Sequence, residues 1–304
     1  MGIADVIPGV SGGTIALITG VYQELIDTIN NLNISKFKLL IHFKYREFWI
    51  SINGNFILSI FSGILISIII FSGLIKFFIN EYPIQLWSFF FGLILSSVFY
   101  LLNKVKPINS YNIFLILTGI ILAYSLTLLS PSNEKISLSY LFFSSIIAII
   151  AMILPGISGA FIFILLGVYE LVIETVKNSF KILLTLDLNL ISSLYSKLLV
   201  IILGMIIGLK IFSKTLKWLF KNYKNQTLSF LTGIMIGALP KIWPWKKNNI
   251  INELTINSEL ISPFNFKGDN EIELATFFMI FGFLILFIFE YCSKKTKIEF
   301  NKKD

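Results

Sequence analysis

The chain has 304 residues, 56% of them hydrophobic and only 14% charged, with a mean hydropathy of +0.83. A soluble domain of this length carries roughly a quarter charged residues, so a water-soluble fold is excluded and lipid must be part of the solvent. The net charge of +8 reads as lysines on cytoplasmic loops rather than as a nucleic-acid footprint. A single cysteine (Cys292), a single histidine (His42) and a single arginine (Arg46) exclude an intrachain disulfide, most metal clusters and a Ser-His-Asp triad in the membrane.

In chain order, residues 1–32 are apolar with scattered acids and are broken by glycines. No basic region leads them, and Asp5, Pro8 and Gly9 interrupt any apolar core, so no signal peptide is expected. The loop 33–50 carries Lys36, Lys38, Lys44 and Arg46 against Glu47 and is placed in the cytoplasm, with His42 and Arg46 as surface residues. Crossings of about 20 apolar residues are predicted near 54–75, 84–103 and 111–130. Residues 136–169 carry no charge, are too long for one crossing and contain Pro155-Gly156 in the middle. The segment 136–177 therefore reads, like 1–32, as a re-entrant hairpin that dips into the membrane and returns.

Further crossings are predicted near 190–211, where Lys197 and Lys210 must snorkel toward headgroups, and near 226–240 and 274–292. This path puts the loop with Lys210, Lys214, Lys217, Lys221 and Lys224 inside, together with the lysine-rich tail and both termini. Trp87, Trp218, Trp243 and Trp245 fall near span ends, as interfacial anchors do.

Self-comparison reveals a repeat. Residues 7–12 read Ile-Pro-Gly-Val-Ser-Gly and residues 154–159 read Leu-Pro-Gly-Ile-Ser-Gly. At the same offset of 147, Gly20-Val21-Tyr22 matches Gly167-Val168-Tyr169, while Ser88-Phe89 and Gly92 match Ser229-Phe230 and Gly233 at an offset of 141. Each half has an odd number of crossings, so the second must sit upside down relative to the first. The predicted fold is an all-α polytopic membrane protein of two inverted-topology repeats, 1–135 and 136–304. Each is a re-entrant hairpin followed by three spans, an architecture suited to alternating access at a midplane site.

Each dip turns at Pro-Gly-x-Ser-Gly. Proline ends one helix and glycine permits positive φ, while Ser11, Thr14 and Ser158 suit the N-cap of the next half-helix. Unpaired N–H groups and a positive dipole end there suit a phosphate. Gly9, Ser11, Gly12, Gly13, Thr14, Gly156, Ser158 and Gly159 are the expected phosphate-binding residues. Alternatively, these glycines only let a hairpin pack tightly. Asp5, Glu24 and Glu170 are acids in the dips, where a carboxylate is costly, and are expected to gate or to couple protons. Asp27 and Glu174 are expected near the interface, solvated. Tyr22 and Tyr169 are expected to line the site or to be buried with a satisfied hydroxyl.

The run Gly2-Ile3-Ala4-Asp5-Val6-Ile7-Pro8-Gly9-Val10-Ser11-Gly12-Gly13-Thr14, followed by Gly20-Val21-Tyr22, resembles the first signature of the PopT-type polyprenyl-phosphate transporters. That bacterial family was long catalogued as a domain of unknown function. Met152-Ile153-Leu154-Pro155-Gly156-Ile157-Ser158-Gly159 with Gly167-Val168-Tyr169-Glu170 resembles the second, and Leu239-Pro240-Lys241-Ile242-Trp243-Pro244-Trp245 is similar to a third. The resemblance implies a carrier in the bacterial plasma membrane that returns undecaprenyl phosphate from the outer to the cytoplasmic leaflet, with that lipid and membrane lipids as partners and no cofactor, metal or nucleic acid. Relatives have a longer apolar lead-in, so the first dip is expected to lack part of its entering helix. The competing readings are a polyprenyl-(pyro)phosphate phosphatase, which needs charged donors this chain scarcely has, and a small-anion channel.

Overall fold

A computed structural model describes residues 1–2, 11–128, 136–185, 191–248, 258–266 and 271–300. The chain is mostly helical. After residues 1–2, the described residues resume with two short helices, α1 (Gly12–Ile18) and α2 (Tyr22–Asn31). Between them Gly20 takes φ +79°, a left-handed turn that glycine allows at little cost. Two further short helices, α3 (Ile34–Ile41) and α4 (Tyr45–Ser51), occupy the segment expected to be a loop. They expose Phe37, Ile41, Tyr45 and Trp49 beside their lysines, the pattern of helices lying in a headgroup layer.

Three long helices follow: α5 (Gly54–Glu81), α6 (Pro83–Lys104) and α7 (Ser110–Leu128). Then comes a second broken unit of α8 (Leu138–Ile153), α9 (Gly159–Leu165) and α10 (Tyr169–Thr185). Here Gly167 takes φ +66° between α9 and α10, as Gly20 does between α1 and α2. The chain continues through α11 (Ile191–Asn222) and α12 (Lys224–Ala238). A 3-10 turn (Leu239–Ile242), an antiparallel hairpin of β1 (Lys246–Asn248) and β2 (Ser258–Leu260), and α13 (Ile272–Phe300) complete it.

Among the described residues, three helices are long and apolar enough to cross a membrane, namely α6, α7 and α11 from Leu194 on. A fourth is added if α4 and the start of α5, bent by 71°, count as one span. The most apolar stretch of α6 is 61% buried, against 17% for those of α7 and α11. Thus α6 is the central post, and α7 and α11 present apolar faces outward, with Ile121 and Ile206 more than half exposed. Such faces need lipid around them.

Glycine sets the closest helix contacts. Gly92 of α6 lies against the backbone of Met279 in α13, and Gly282 of α13 against that of Phe89. Gly233 of α12 lies in the same way against Ile116 of α7, and Gly119 of α7 against Phe230. A side chain at any of these would push the helices apart, and small residues are what membrane helices use to approach closely. Gly233 follows Gly92, and Phe230 follows Phe89, by 141 residues; Met279 follows Ile116, and Gly282 follows Gly119, by 163. Buried hydroxyls on the packed helices bond back into their own helices, as Ser145 of α8 (Leu138–Ile153) does to the Leu141 carbonyl (2.8 Å) and Thr232 to that of Leu228 (2.7 Å).

Further expectations meet a different outcome. Lys210, Lys214, Lys217 and Lys221 do not form a loop: α11 runs on as helix to Asn222, past the expected end near 211. Lys210, expected to snorkel, has a fixed partner within the protein. Its Nζ donates to the carbonyl of Ile29 (2.8 Å) at the C-terminal end of α2, where unpaired carbonyls and the negative dipole end favour a cation. Trp245 is also no interfacial anchor; it is 3% exposed, packed with Ile84 and Ala275.

Candidate functional site

The two Pro-Gly motif segments meet, and the reason is local. Pro155 cannot donate a hydrogen bond and ends α8, which leaves the last carbonyls of that helix without partners. The first hairpin supplies them. The Ser11 hydroxyl lies 3.2 Å from the Met152 carbonyl and 3.3 Å from that of Leu154. The Tyr22 hydroxyl donates to the Ile153 carbonyl (3.1 Å). In return the Gly156 N–H donates to Thr14 Oγ1 (2.9 Å). Ser11, Thr14 and Tyr22 are buried to within 2%, so these bonds sit where an unpaired group is costly. Ser11 Oγ also accepts from the Gly13 N–H (3.1 Å), capping α1.

Shape enforces the junction. A Cβ on Gly13 would stand 2.5 Å from the Ile153 carbonyl oxygen. Gly156 takes φ +87°, and a Cβ there would stand 3.1 Å from Met235 Cα on α12. Gly12 is buried at the start of α1, and a Cβ on Gly159 would stand 2.9 Å from the Ala148 carbonyl.

The second motif has a free side. Ser158 stands at the N-cap of α9 with extended backbone, but its side chain makes no capping bond. It lines a small cavity with Gly156, Phe161, Thr127 of α7 and Lys241 of the 3-10 turn. The space is about 10 Å³, room for one water. Lys241 Nζ lies 4.3 Å from the centre of the Phe161 ring, and Lys246 Nζ lies 4.5 Å from that of Trp87 while donating to the Lys241 carbonyl. Burial lowers the pKa of Lys241. Burial, with the Lys241 charge second, pushes that of Lys246 down to about 7.

The other expected residues lie apart. Glu24 is exposed and accepts from Asn53 Nδ2 (3.0 Å). Asp27 pairs with Lys217 (2.7 Å), and Glu170 and Glu174 are exposed. Tyr169 is half-buried at the start of α10, whereas the Tyr22 ring packs edge-on against Phe220 (5.7 Å). Asp5 and Gly9 lie outside the described residues. Sequence reasoning passed over Lys241 and Lys246. Lys241 stood in the third signature, but nothing local ties it to Ser158, 83 positions earlier.

Two apolar grooves flank the core. One, about 390 Å³, is lined by Phe78, Tyr82, Gln85, Leu86 and Phe89 with Leu274 and Phe278. The other, about 420 Å³, includes Tyr223, Gln226, Thr227 and Phe230 with Tyr111 and Leu115, and reaches Leu154 at the edge of the second motif. Tyr82, Gln85 and Phe89 stand 141 residues before Tyr223, Gln226 and Phe230; Tyr111 and Leu115 stand 163 before Leu274 and Phe278.

No solved structure matches the chain. A protein of Vibrio cholerae serotype O1 named "Polyprenyl-phosphate transporter" is 41% identical over 273 residues, covering 88% of this chain and 84% of the relative. A Staphylococcus aureus protein of the same name is 30% identical over 263 residues, covering 83% of this chain and 86% of that one. Residues 1–259 match the VCA0040-like family, described as undecaprenyl phosphate translocase-like. With a family match over most of its length and a relative at 41% identity, the chain belongs to the undecaprenyl phosphate translocase-like family.

Proposed function

We propose that this protein is a transporter, not an enzyme, and that it returns undecaprenyl phosphate from the outer to the cytoplasmic leaflet of a bacterial plasma membrane. The observation that carries the reading is the direct hydrogen-bonded junction of the two Pro-Gly motifs, Ser11 to Met152 and Leu154, and Gly156 to Thr14. A bistable contact between two pseudo-equivalent hairpins is what alternating access needs. In this reading residues 1–135 and 136–304 are inverted repeats with both termini in the cytoplasm. The left-handed Gly20 and Gly167 and the glycine contacts recurring at constant offsets support it.

The phosphate is held by Gly9, Ser11, Gly12, Gly13, Thr14, Gly156, Ser158 and Gly159. The hydroxyls of Ser11 and Thr14 exchange their backbone partners for phosphate oxygens as the junction opens. Tyr22 and Tyr169 flank the path, and Asp5, Glu24 and Glu170 gate it or carry a coupled proton. The two grooves take the isoprenoid tail, one near each leaflet, because the inverted topology puts Tyr82 and Gln85 at the outer ends of their spans and Tyr223 and Gln226 at the inner ends. An apolar lateral cleft beside a polar junction is what a lipid substrate requires and a small anion does not.

The test is flipping of undecaprenyl phosphate in proteoliposomes, with the unaltered chain against a Ser11→Ala, Ser158→Ala double variant. The unaltered protein should move the lipid and the variant should not. Passage of small anions with no lipid movement would sink the lipid-carrier reading.

A further inference from the structure

Lys241 and Lys246 occupy a position that water-seeking side chains seldom take. The 3-10 turn after α12 and the β1–β2 hairpin form a cap whose Trp245 packs on Ile84 and Ala275, near the starts of α6 and α13. The cap is fastened by Trp243 Nε1 donating to the Ile261 carbonyl (3.0 Å), by Ile261 N–H donating to the Trp245 carbonyl (3.0 Å), and by the buried Trp245 ring. Trp243 packs on Phe91 of α6 (5.3 Å), so the cap is held to the central post. Both lysines are thereby fixed inward, one over Phe161 and one over Trp87. Among the described residues neither ammonium group pairs with a carboxylate; the ion pairs found there join Lys44 to Glu47 and Lys217 to Asp27.

Aromatic faces offset only part of the cost of desolvating a cation. Two neighbouring cations add mutual repulsion. An entering anion removes both penalties, and a compact ammonium with three donors suits phosphate. Lys241 also lines the cavity in which the Ser158 side chain lacks a capping partner.

We infer that Lys241 and Lys246 bind a phosphate monoester, the headgroup of a polyprenyl phosphate, under the hairpin cap, and that Lys241 passes it to the Ser158 motif. This rests on the transport reading above and adds where the headgroup is first recognised. Binding frees Lys246 from the Lys241 carbonyl and widens a cavity that otherwise holds about one water.

The test uses the full chain in nanodiscs of zwitterionic lipid, with farnesyl phosphate, farnesol and inorganic phosphate as probes. Farnesyl phosphate should bind and farnesol should not. Lys241→Gln and Lys246→Gln should each weaken binding by about tenfold or more, the scale of one charge-assisted bond. Lys246→Arg, which keeps the charge, should stay within a few-fold of the unaltered chain, and thermal melting should confirm that each variant is folded. Unchanged binding in the folded Lys241→Gln, Lys246→Gln double variant overturns the site. Inorganic phosphate binding as tightly as farnesyl phosphate overturns the headgroup assignment in favour of free phosphate. Flipping is measured on the same preparations. Lipid movement that ignores both lysines removes this site and leaves the transport reading. Lysine-dependent binding without lipid movement does the reverse.

Discussion

The hairpin that follows Ser11 and the one that follows Ser158 share a plan: an extended serine, a seven-residue helix, a left-handed glycine and then a longer helix. Their surroundings differ. Ser11, Thr14 and Tyr22 spend their hydroxyls on the broken end of α8. Ser158 makes no capping bond and faces a cavity beside a lysine. A repeated sequence thus builds the same backbone twice, while the partners it meets give one copy the role of clasp and leave the other open.

The comparison breaks most severely at the glycines. Gly13→Val should prevent closure of the junction, because its Cβ meets a main-chain oxygen at 2.5 Å that cannot move aside. Gly156→Val adds a left-handed φ worth about 1–3 kcal/mol of strain. Both should lose folded yield in detergent, read by size-exclusion chromatography and thermal melting. The clasp should be weakened by Thr14→Val, which keeps the shape but orphans the buried Gly156 N–H, for about 1–3 kcal/mol of lost stability. Ser158→Ala should leave melting unchanged and lower transport. Equal melting of Ser11→Ala and Ser158→Ala would show that the copies are alike after all.

A smaller effect is set by pH. Lys246 loses its proton near 7 in the fold, against about 10.4 in an unfolded chain. Between these values the unfolded state binds more protons, so stability should rise with pH from about 7 upward. Capture of farnesyl phosphate should weaken over the same rise, with Lys241 the charged neighbour that opposes its protonation. In Lys246→Arg both trends should shrink, leaving titration of the probe and of Lys241, whose pKa burial also lowers; a binding profile that matches the unaltered chain would contradict this. The smallest effect belongs to Lys217 and Asp27, each about half exposed. Asp27→Asn should cost no more than about 0.5 kcal/mol.

Much of the fold was legible because crossing helices need long apolar runs: the spans predicted near 84–103 and 111–130 coincide with α6 and α7 to within two residues. The pairing of the motifs was foreshadowed by their repetition. The helical tail of α11 was not, since Lys210 to Lys221 look like a basic loop until α2 supplies carbonyls for Lys210 and Asp27 for Lys217. Tyr22 could be read as lining or as buried, and only the Ile153 carbonyl decides it. Lys241 was hidden because its proximity to Ser158 is made by α12 folding back against α7, a contact no local pattern encodes.

The glycine notch of α6 has a bearing on biosynthesis. Gly92 rests on Met279, which the ribosome adds 187 residues later. At 5–20 residues per second, α6 stands in the insertion machinery without its partner for about 10–40 s. During that interval the Gly92 face of α6 lacks the helix it packs against in the fold. Chains truncated before α13 should be recognised as orphans and degraded.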